Sequence, residues 1–280
     1  MIKVLNSGLY SSIQDLGRYG VHEYGVPYSG AMDKQAMLMA NTILANAEDS
    51  AVLEMTMLGA KLEFQCDTFI CISGADMRAK LNGTRIANYK MIPIKASNVL
   101  SFSSANGGIR TYLAVTGGFQ SEIVMRSRSM YQGITQSHVI RNNDLLSIEP
   151  HSGQCHPKNA RLKINKDDFL HGQLGVFKGP EFNLLSEAQQ KLLIGKPFTI
   201  SKNNNRMAYQ LEEPFANKLD SIITSPVLPG TVQLTPSGEM IILMRDCQTT
   251  GGYPRVLQLK PTSLNSLAQK YAGQEVIFCF

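Results

Sequence analysis

Apolar residues in this chain alternate with polar ones at a period of two, in runs too short for anything but β-strands. "AVLEMTM" (51–57), "KLEFQ" (61–65), "TFICIS" (68–73), "NVLSFS" (98–103) and "RTYLAVT" (110–116) each set alternate side chains on one face. Turn residues separate them. Asn82-Gly83 in "LNGTR" is a strong two-residue hairpin signal, and Gly107 and Gly108 in "ANGGIR" (105–110) predict a further turn because glycine accepts positive φ. The same grammar returns at "RLKI" (161–164), "LGVF" (174–177), "FTIS" (198–201), "TVQLT" (231–235), "MIILMR" (240–245), "RVLQLK" (255–260) and "EVIFCF" (275–280). Strands with few helices, twice over, predict a mainly β chain of two tandem barrels or sandwiches.

Three helices are expected. In "AMDKQAMLMANTILANA" the apolar stripe runs through Met32, Ala36, Met39, Ala40, Ile43, Leu44 and Ala47, and Ser29 with Gly30 can cap or open its first turn. Ser186 and Gln189 form a capping box for "EAQQKLL". Leu264, Leu267, Ala268 and Tyr271 place a third helix near 263–271. The aperiodic "EPHSGQCHPKNAR" (149–161) reads as a linker, which gives domains at 1–155 and 156–280.

At 280 residues the chain has room for these two cores. Its net charge of +5 is mild, and no basic stripe with interleaved aromatics occurs, so no nucleic-acid partner is expected. No run approaches the roughly 18 apolar residues of a membrane span and the first residues lack a signal peptide's apolar core, so a cytoplasmic location without membrane contact is expected. Five cysteines, odd in number and never in a C-x-x-C pair, fit reduced thiols. His151, Cys155 and His156 lack a fourth ligand at standard spacing, and no metal site is expected. Phosphate-loop, dinucleotide, nucleophile-elbow and H-E-x-x-H motifs are missing, as is the "AMKM" biotin acceptor.

Four polar clusters interrupt the pattern. In "SSIQDLGRYG" (11–20), Gln14, Asp15 and Arg18 surround Gly17 and Gly20; the pair is either a turn salt bridge or a guanidinium fork for carboxylate or phosphate, held by Asp15. In "GVPYSGAMD" (25–33), Tyr28, Ser29 and free helix amides could bind an anion or serve as a plain cap, while Asp33 could orient a ligand hydroxyl or a metal-bound water. Arg128 in "RSRSMY" and Arg206 in "NNNRMAYQLE" either converge on one anionic group or sit solvated on the surface. In "MRDCQTTGGYP" (244–254), Gln248, Thr249 and Thr250 supply neutral donors and acceptors, and Gly251 and Gly252 let backbone approach a ligand, with Pro229, Gly230 and Gln233 upstream. More polar capacity gathers there than a hairpin needs, which predicts the edge of a binding site.

Taken in order, "QDLGRYG", "GVPYSGAMD", "LEMTMLGAKLEF", "SGAD", "RTYLAVTGGF", "SRS", "RMAYQLE", "PGTVQL" and "QTTGGYP" resemble the carboxyltransferase A/B family, also described as allophanate hydrolase subunit 2 or KipA-like. That family takes in the C subunits of 5-oxoprolinases, KipA-type regulators and a urea carboxylase domain. The resemblance implies two cyclophilin-like β-barrel domains with a cleft between them, and the C-subunit role in an ATP-dependent 5-oxoprolinase. It further implies a partner of the KipI-like or 5-oxoprolinase B-subunit type, a large A-type partner, a lactam or amide substrate, and ATP with magnesium in the complex. On this reading Asp15, Arg18, Asp33, Arg128 and Arg206 are the expected catalytic residues. Gln14, Tyr28, Ser29, Gly30, Tyr209, Gln233, Gln248, Thr249, Gly251, Gly252 and Tyr253 are the expected substrate contacts. Rival expectations are a carboxyltransferase served by biotin on a partner, and a non-enzymatic regulator that binds a KipI-like kinase inhibitor. Two departures bear on substrate identity. After "SRSMY" the relatives' glycine-rich segment is replaced by "QGITQSHVIRNNDLLSIEP", which keeps Asn143 and Asp144, and Asn205 stands where an Asp often precedes the arginine.

Overall fold

The computed structural model describes residues 1–150 and 172–280. The expected strand at 161–164, the boundary at 155/156, most of the linker, and His151, Cys155 and His156 lie outside the described residues. The described chain forms two compact units, residues 1–18 with 29–150, and residues 19–28 with 172–280. The short segment Tyr19–Tyr28 thus clusters with the second unit, although it precedes most of the first in sequence.

The first unit contains β1 (Ile2–Asn6), β2 (Tyr10–Gln14), α1 (Lys34–Ile43), β3 (Val52–Thr56), β4 (Lys61–Phe64), β5 (Thr68–Asp76), β6 (Lys80–Leu81), β7 (Thr84–Arg85), β8 (Ile92–Ile94), β9 (Val99–Ser101), β10 (Asn106–Val115) and β11 (Leu145–Leu146). They form a six-stranded sheet in the order β11-β1-β4-β9-β6-β7 and a five-stranded sheet in the order β2-β3-β10-β5-β8. The two sheets share one core, to which the first contributes Val4, Leu62 and Phe64 and the second Leu53, Ile72 and Leu113. Because side chains alternate along a strand, the neighbours Val52, Cys71, Tyr112 and Ala114 fall on the other face of the second sheet, packed with Ala36, Met37 and Ala40 of α1. Both faces are covered, which explains why β5 and the second half of β10 bury consecutive residues and not only alternate ones.

The expected hairpin is present: Lys80 pairs with Arg85 and Leu81 with Thr84 around Asn82 (φ 48°) and Gly83 (φ 85°). Two positive φ angles in a two-residue loop are what the right-handed strand twist requires, and Asn-Gly supplies them. The turn expected at 105–110 is corrected. Those residues start β10, whose register against β5 shifts between Asn106 and Thr111, and Gly107 (φ 68°) and Gly108 (φ 139°) fall in that irregularity. The glycines relieve a bulge instead of reversing the chain.

In the second unit β12 (Gln173–Lys178), β13 (Pro197–Asn204), β14 (Ala208–Leu211), β16 (Thr231–Leu234), β17 (Met240–Leu243), β19 (Arg255–Leu259) and β20 (Glu275–Cys279) close into a seven-stranded barrel ordered β12-β19-β16-β17-β14-β13-β20. A separate ribbon pairs β15 (Ser225–Pro226) with β18 (Thr250–Gly251). Helix α2 (Glu187–Leu193) carries the reciprocal Ser186–Gln189 capping box expected of it. Helix α3 (Pro261–Leu267) starts earlier than the apolar spacing predicted, because Pro261 takes a first-turn position that needs no amide hydrogen, and it stops sooner, with Ala268 as its C-cap. The chain is therefore mainly β, with three α-helices among the described residues. No helix among them is long and apolar enough to cross a membrane.

Candidate functional site

In the first unit the polar residues of 11–18 and 120–130 assemble around one carboxylate. Asp15, 6% exposed just past the end of β2, accepts hydrogen bonds at Oδ1 from the Gly17 amide (2.7 Å), the Ser127 hydroxyl (2.7 Å) and the Ser129 hydroxyl (2.6 Å), and at Oδ2 from the Arg128 amide (2.6 Å). Arg18, 1% exposed, donates from Nε to the Val124 carbonyl at 3.2 Å and from Nη2 to the Ser129 carbonyl. Arg128 donates from Nη2 to Gln120 Oε1 at 2.6 Å and from Nη1 to the Ser121 carbonyl. Gln14, fully buried, donates to Ser12 Oγ at 3.0 Å and to the Met130 carbonyl at 3.1 Å. Asp15, Arg18, Arg128 and Gln14 are thus brought together, and each ties the end of β2 to the 120–130 loop.

The segment 29–33 lies against the same loop. Gly30 (φ 90°) has no room for a side chain, since a Cβ would stand 2.9 Å from Gly17 N and Leu16 C and O. The Ala31 amide donates to the Asp15 carbonyl at 2.9 Å, Met32 N–H to Glu54 Oε2 at 2.8 Å and Asp33 N–H to the Tyr112 hydroxyl at 2.8 Å. Here two expectations are corrected. The N-cap of α1 is Asp33, whose Oδ1 accepts from Ala36 N at 3.0 Å, and not Ser29 or Gly30. The amides leading into the helix are already satisfied by Asp15, Glu54 and Tyr112, so this helix start is not an open anion cradle. Ser29 is the exception: it is fully buried at φ 56°, a strained value for a residue with a side chain, and its hydroxyl finds no partner among the described residues.

Beneath α1 lies a buried polar layer that the sequence reading gave no catalytic or binding role. Glu54 and Arg110, 1% and 3% exposed, stand 3.8 Å apart. Tyr112 shares their face of the sheet, and burial, reinforced by the Glu54 and Asp33 carboxylates, raises its hydroxyl well above the usual 10, so the phenol stays protonated. Ser73 donates to the Ala36 carbonyl at 2.7 Å from the same side. The available signal was parity: residues 110 and 112 on β10 and residue 54 on β3 all point away from the inter-sheet core. Likewise Ser127 and Ser129, two apart on an extended segment, present both hydroxyls to Asp15.

In the second unit Arg206 makes a two-pronged ion pair. Its Nε and Nη2 donate to Asp246 Oδ2 (2.7 Å) and Oδ1 (3.1 Å), and the two residues are 7% and 9% exposed. Asp246, from the polar stretch 244–254, was not among the expected site residues. Tyr209 is fully buried on β14, its hydroxyl donating to the Lys270 carbonyl at 3.3 Å. Lys270 was also missed; it is 2% exposed, and burial holds its ammonium below the usual 10.5.

The rest of 244–254 is not a strand end in the barrel wall. Gly251 belongs to the β15–β18 ribbon, where it pairs with Ser225, and Thr249 and Gly252 flank it, the Val227 amide donating to the Thr249 carbonyl at 3.1 Å and the Ile222 amide to the Gly252 carbonyl at 2.9 Å. Gln233 on β16 is 2% exposed and accepts at Oε1 from Gln248 Nε2 at 3.4 Å. Tyr253 is 40% exposed beside the ribbon. Tyr28 stacks on His22 at 4.8 Å between ring centroids and tilts against Tyr19 at 5.5 Å, within the segment that clusters with this unit.

A mainly β chain with this pair of polar constellations belongs to the carboxyltransferase family: it matches the domain described as carboxyltransferase domain, subdomain A and B, over residues 24–280. Among individual relatives, it is 30% identical over 284 residues to the C subunit of 5-oxoprolinase from Escherichia coli (strain K12), an alignment that takes in 99% of this chain and 90% of that protein. It is 32% identical over 226 residues to urea amidolyase of Saccharomyces cerevisiae, covering 76% of this chain and 12% of that protein. Its fold matches the crystal structure of Kluyveromyces lactis urea carboxylase with a TM-score of 0.87 at 25% identity, over 99% of this chain and 27% of that one.

Proposed function

We propose that this chain is the C subunit of an ATP-dependent 5-oxoprolinase, which opens the lactam of 5-oxoproline to glutamate at the expense of ATP and water. The observation that carries the reading is the similarity to the C subunit of a bacterial 5-oxoprolinase, whose length the chain spans almost in full. Its partners in this reading are a KipI-like protein in the B position and a larger protein in the A position.

The substrate has an anionic carboxylate and an unreactive amide, so the assembly must hold the first and activate the second. Arg18, Arg128 and Arg206 are the cationic groups proposed for the anionic parts of substrate and transition state, an electrostatic role. Each already binds an internal carbonyl or carboxylate, which fixes its guanidinium in place before substrate arrives. Asp15 and Asp33 act as positioning residues: one fastens the loop that carries Arg128, the other caps α1. Nucleotide and magnesium fit the described residues poorly. No group of three acidic, His or Cys side chains among them is placed to hold a metal ion. The phosphoryl-transfer site is accordingly assigned to a partner, and no step of it is derived from this chain.

Similarity to urea amidolyase and urea carboxylase favours a second reading, a carboxyltransferase acting on urea with biotin carried by a partner. Deleting the coding sequence separates the two. The first reading predicts accumulation of 5-oxoproline, reversed by restoring the chain. Unchanged 5-oxoproline with a lost ability to use urea would replace it with the second.

A further inference from the structure

We infer that Gln233 and Gln248 form an amide-reading pair, whose unused donor and acceptor recognise the N–H and C=O of a lactam or urea-type substrate. Gln233 is 2% exposed on β16, and its single contact with Gln248 joins Gln248 Nε2 to Gln233 Oε1 at 3.4 Å. That leaves Gln233 Nε2 and Gln248 Oε1, both shut off from solvent and both without a partner among the described residues. Buried side-chain amides are normally satisfied, and a matched orphan donor and orphan acceptor on two touching side chains is the arrangement that a ligand completes.

The chemistry is specific. Two side-chain amides joined by one hydrogen bond always leave at least one N–H and one carbonyl oxygen, and turning both groups by half a rotation only exchanges which residue supplies which. The remaining edge is the complement of an amide whose N–H and C=O lie on the same side. A five-membered lactam must present that edge because its ring forces the amide into the cis form, and urea presents it by symmetry. An ester or lactone offers the acceptor and lacks the donor.

The ribbon β15–β18 supplies the cover. A Cβ at Gly251 would stand 2.4 Å from Gln233 Nε2, so only glycine lets the ribbon backbone lie over this amide. The ribbon pairs at two positions, Ser225 with Gly251 and Pro226 with Thr250, and the neighbouring Ile223 is 92% exposed. Strand pairs this short are marginal, so the cover can part to admit a small ring.

The proposal deepens the 5-oxoprolinase reading and rests on it for the choice of lactam. It is tested by calorimetric titration of the full chain with 5-oxoproline and with its ring-oxygen isostere, 5-oxotetrahydrofuran-2-carboxylate. The expected result is at least about tenfold tighter binding of the lactam, since a site built to bond an N–H rejects the analogue that lacks it. Gln248→Met and Gln233→Met should bring the two ligands to near parity, and Gly251→Ala should weaken the lactam selectively. Equal binding of the two rings by the unaltered chain, binding of neither, or an undiminished preference in folded Gln variants overturns the proposal. Glutamate production by the reconstituted complex is read separately. Turnover without lactam preference removes the pair and leaves the function, whereas preference without turnover does the reverse.

Discussion

Ser129 and Asp15, 114 residues apart, hold each other twice: the Ser129 hydroxyl donates to the Asp15 carboxylate at 2.6 Å and accepts from the Asp15 amide at 3.1 Å. One hydroxyl thus satisfies a buried charge and a buried backbone donor at once. Ser129→Ala leaves both short of a partner, and the expected loss is about 1–3 kcal/mol. It is measured as a lower denaturation midpoint in urea, and Ser127→Ala, which removes one bond to the same carboxylate and one from the Ser129 amide, should cost a similar amount.

Gly30 and Gly20 separate strain from space. Both have positive φ, 90° and 73°, but a Cβ at Gly20 meets nothing within 4 Å while one at Gly30 meets the Leu16–Gly17 backbone at 2.9 Å. Gly20→Ala should cost about 1–2 kcal/mol, the left-handed penalty alone. Gly30→Ala should cost distinctly more, because peptide backbone has to move. Comparing the two melting curves checks this.

The Arg206–Asp246 pair should behave as a buried unit. Asp246→Ala removes the carboxylate from a guanidinium that is 7% exposed, with an expected loss of about 3–5 kcal/mol. Replacing both residues with apolar ones of similar volume should recover much of that loss. A double-mutant cycle in chemical denaturation reads the coupling directly.

Burial divides the thiols. It pushes Cys71 and Cys247 up to about 12, so they stay protonated and covered. Cys66 and Cys279 are partly exposed. Brief alkylation of the native protein at mildly alkaline pH, followed by peptide mass spectrometry, should label Cys66 and Cys279 and spare the buried two.

Acid should weaken the second unit through Glu181. Hydrogen bonds from Arg255, with donors 2.8–3.0 Å from the carboxylate oxygens, hold the Glu181 carboxyl below its usual 4.5. The folded state therefore binds this proton less readily than the unfolded chain. The contribution to stability is complete above 4.5 and is lost as pH falls through the lower folded value. Glu181→Gln should flatten that part of the pH–stability profile, which urea midpoints taken between about pH 7 and pH 3 will show.

Local pattern carried the strands that bury one face or both. Residues 52–56, 61–64, 68–76 and 240–243 were visible because alternation or an apolar run marks them. Two-residue strands such as β6, β7 and β11 leave too little pattern, and only the Asn-Gly turn disclosed the first two. Gly107 and Gly108 misled because a bulge and a turn demand the same backbone freedom. At the candidate site, sequence marked Asp15 and Arg206 as polar residues with work to do, yet their partners Ser127, Ser129 and Asp246 lie 40 to 114 residues away and no local spacing encodes them. The clustering of Tyr19–Tyr28 with the second unit is equally a product of tertiary structure alone.

The most direct test is reconstitution. The purified chain, the KipI-like and large partners proposed for it, ATP and magnesium are mixed with either 5-oxoproline or urea plus bicarbonate, and ADP and glutamate are followed together. The account predicts glutamate and ADP in equal amounts from 5-oxoproline, abolished when this chain is left out, and no response to urea. Glutamate formation that proceeds at full rate without this chain, or ATP turnover driven by urea and bicarbonate, would contradict it.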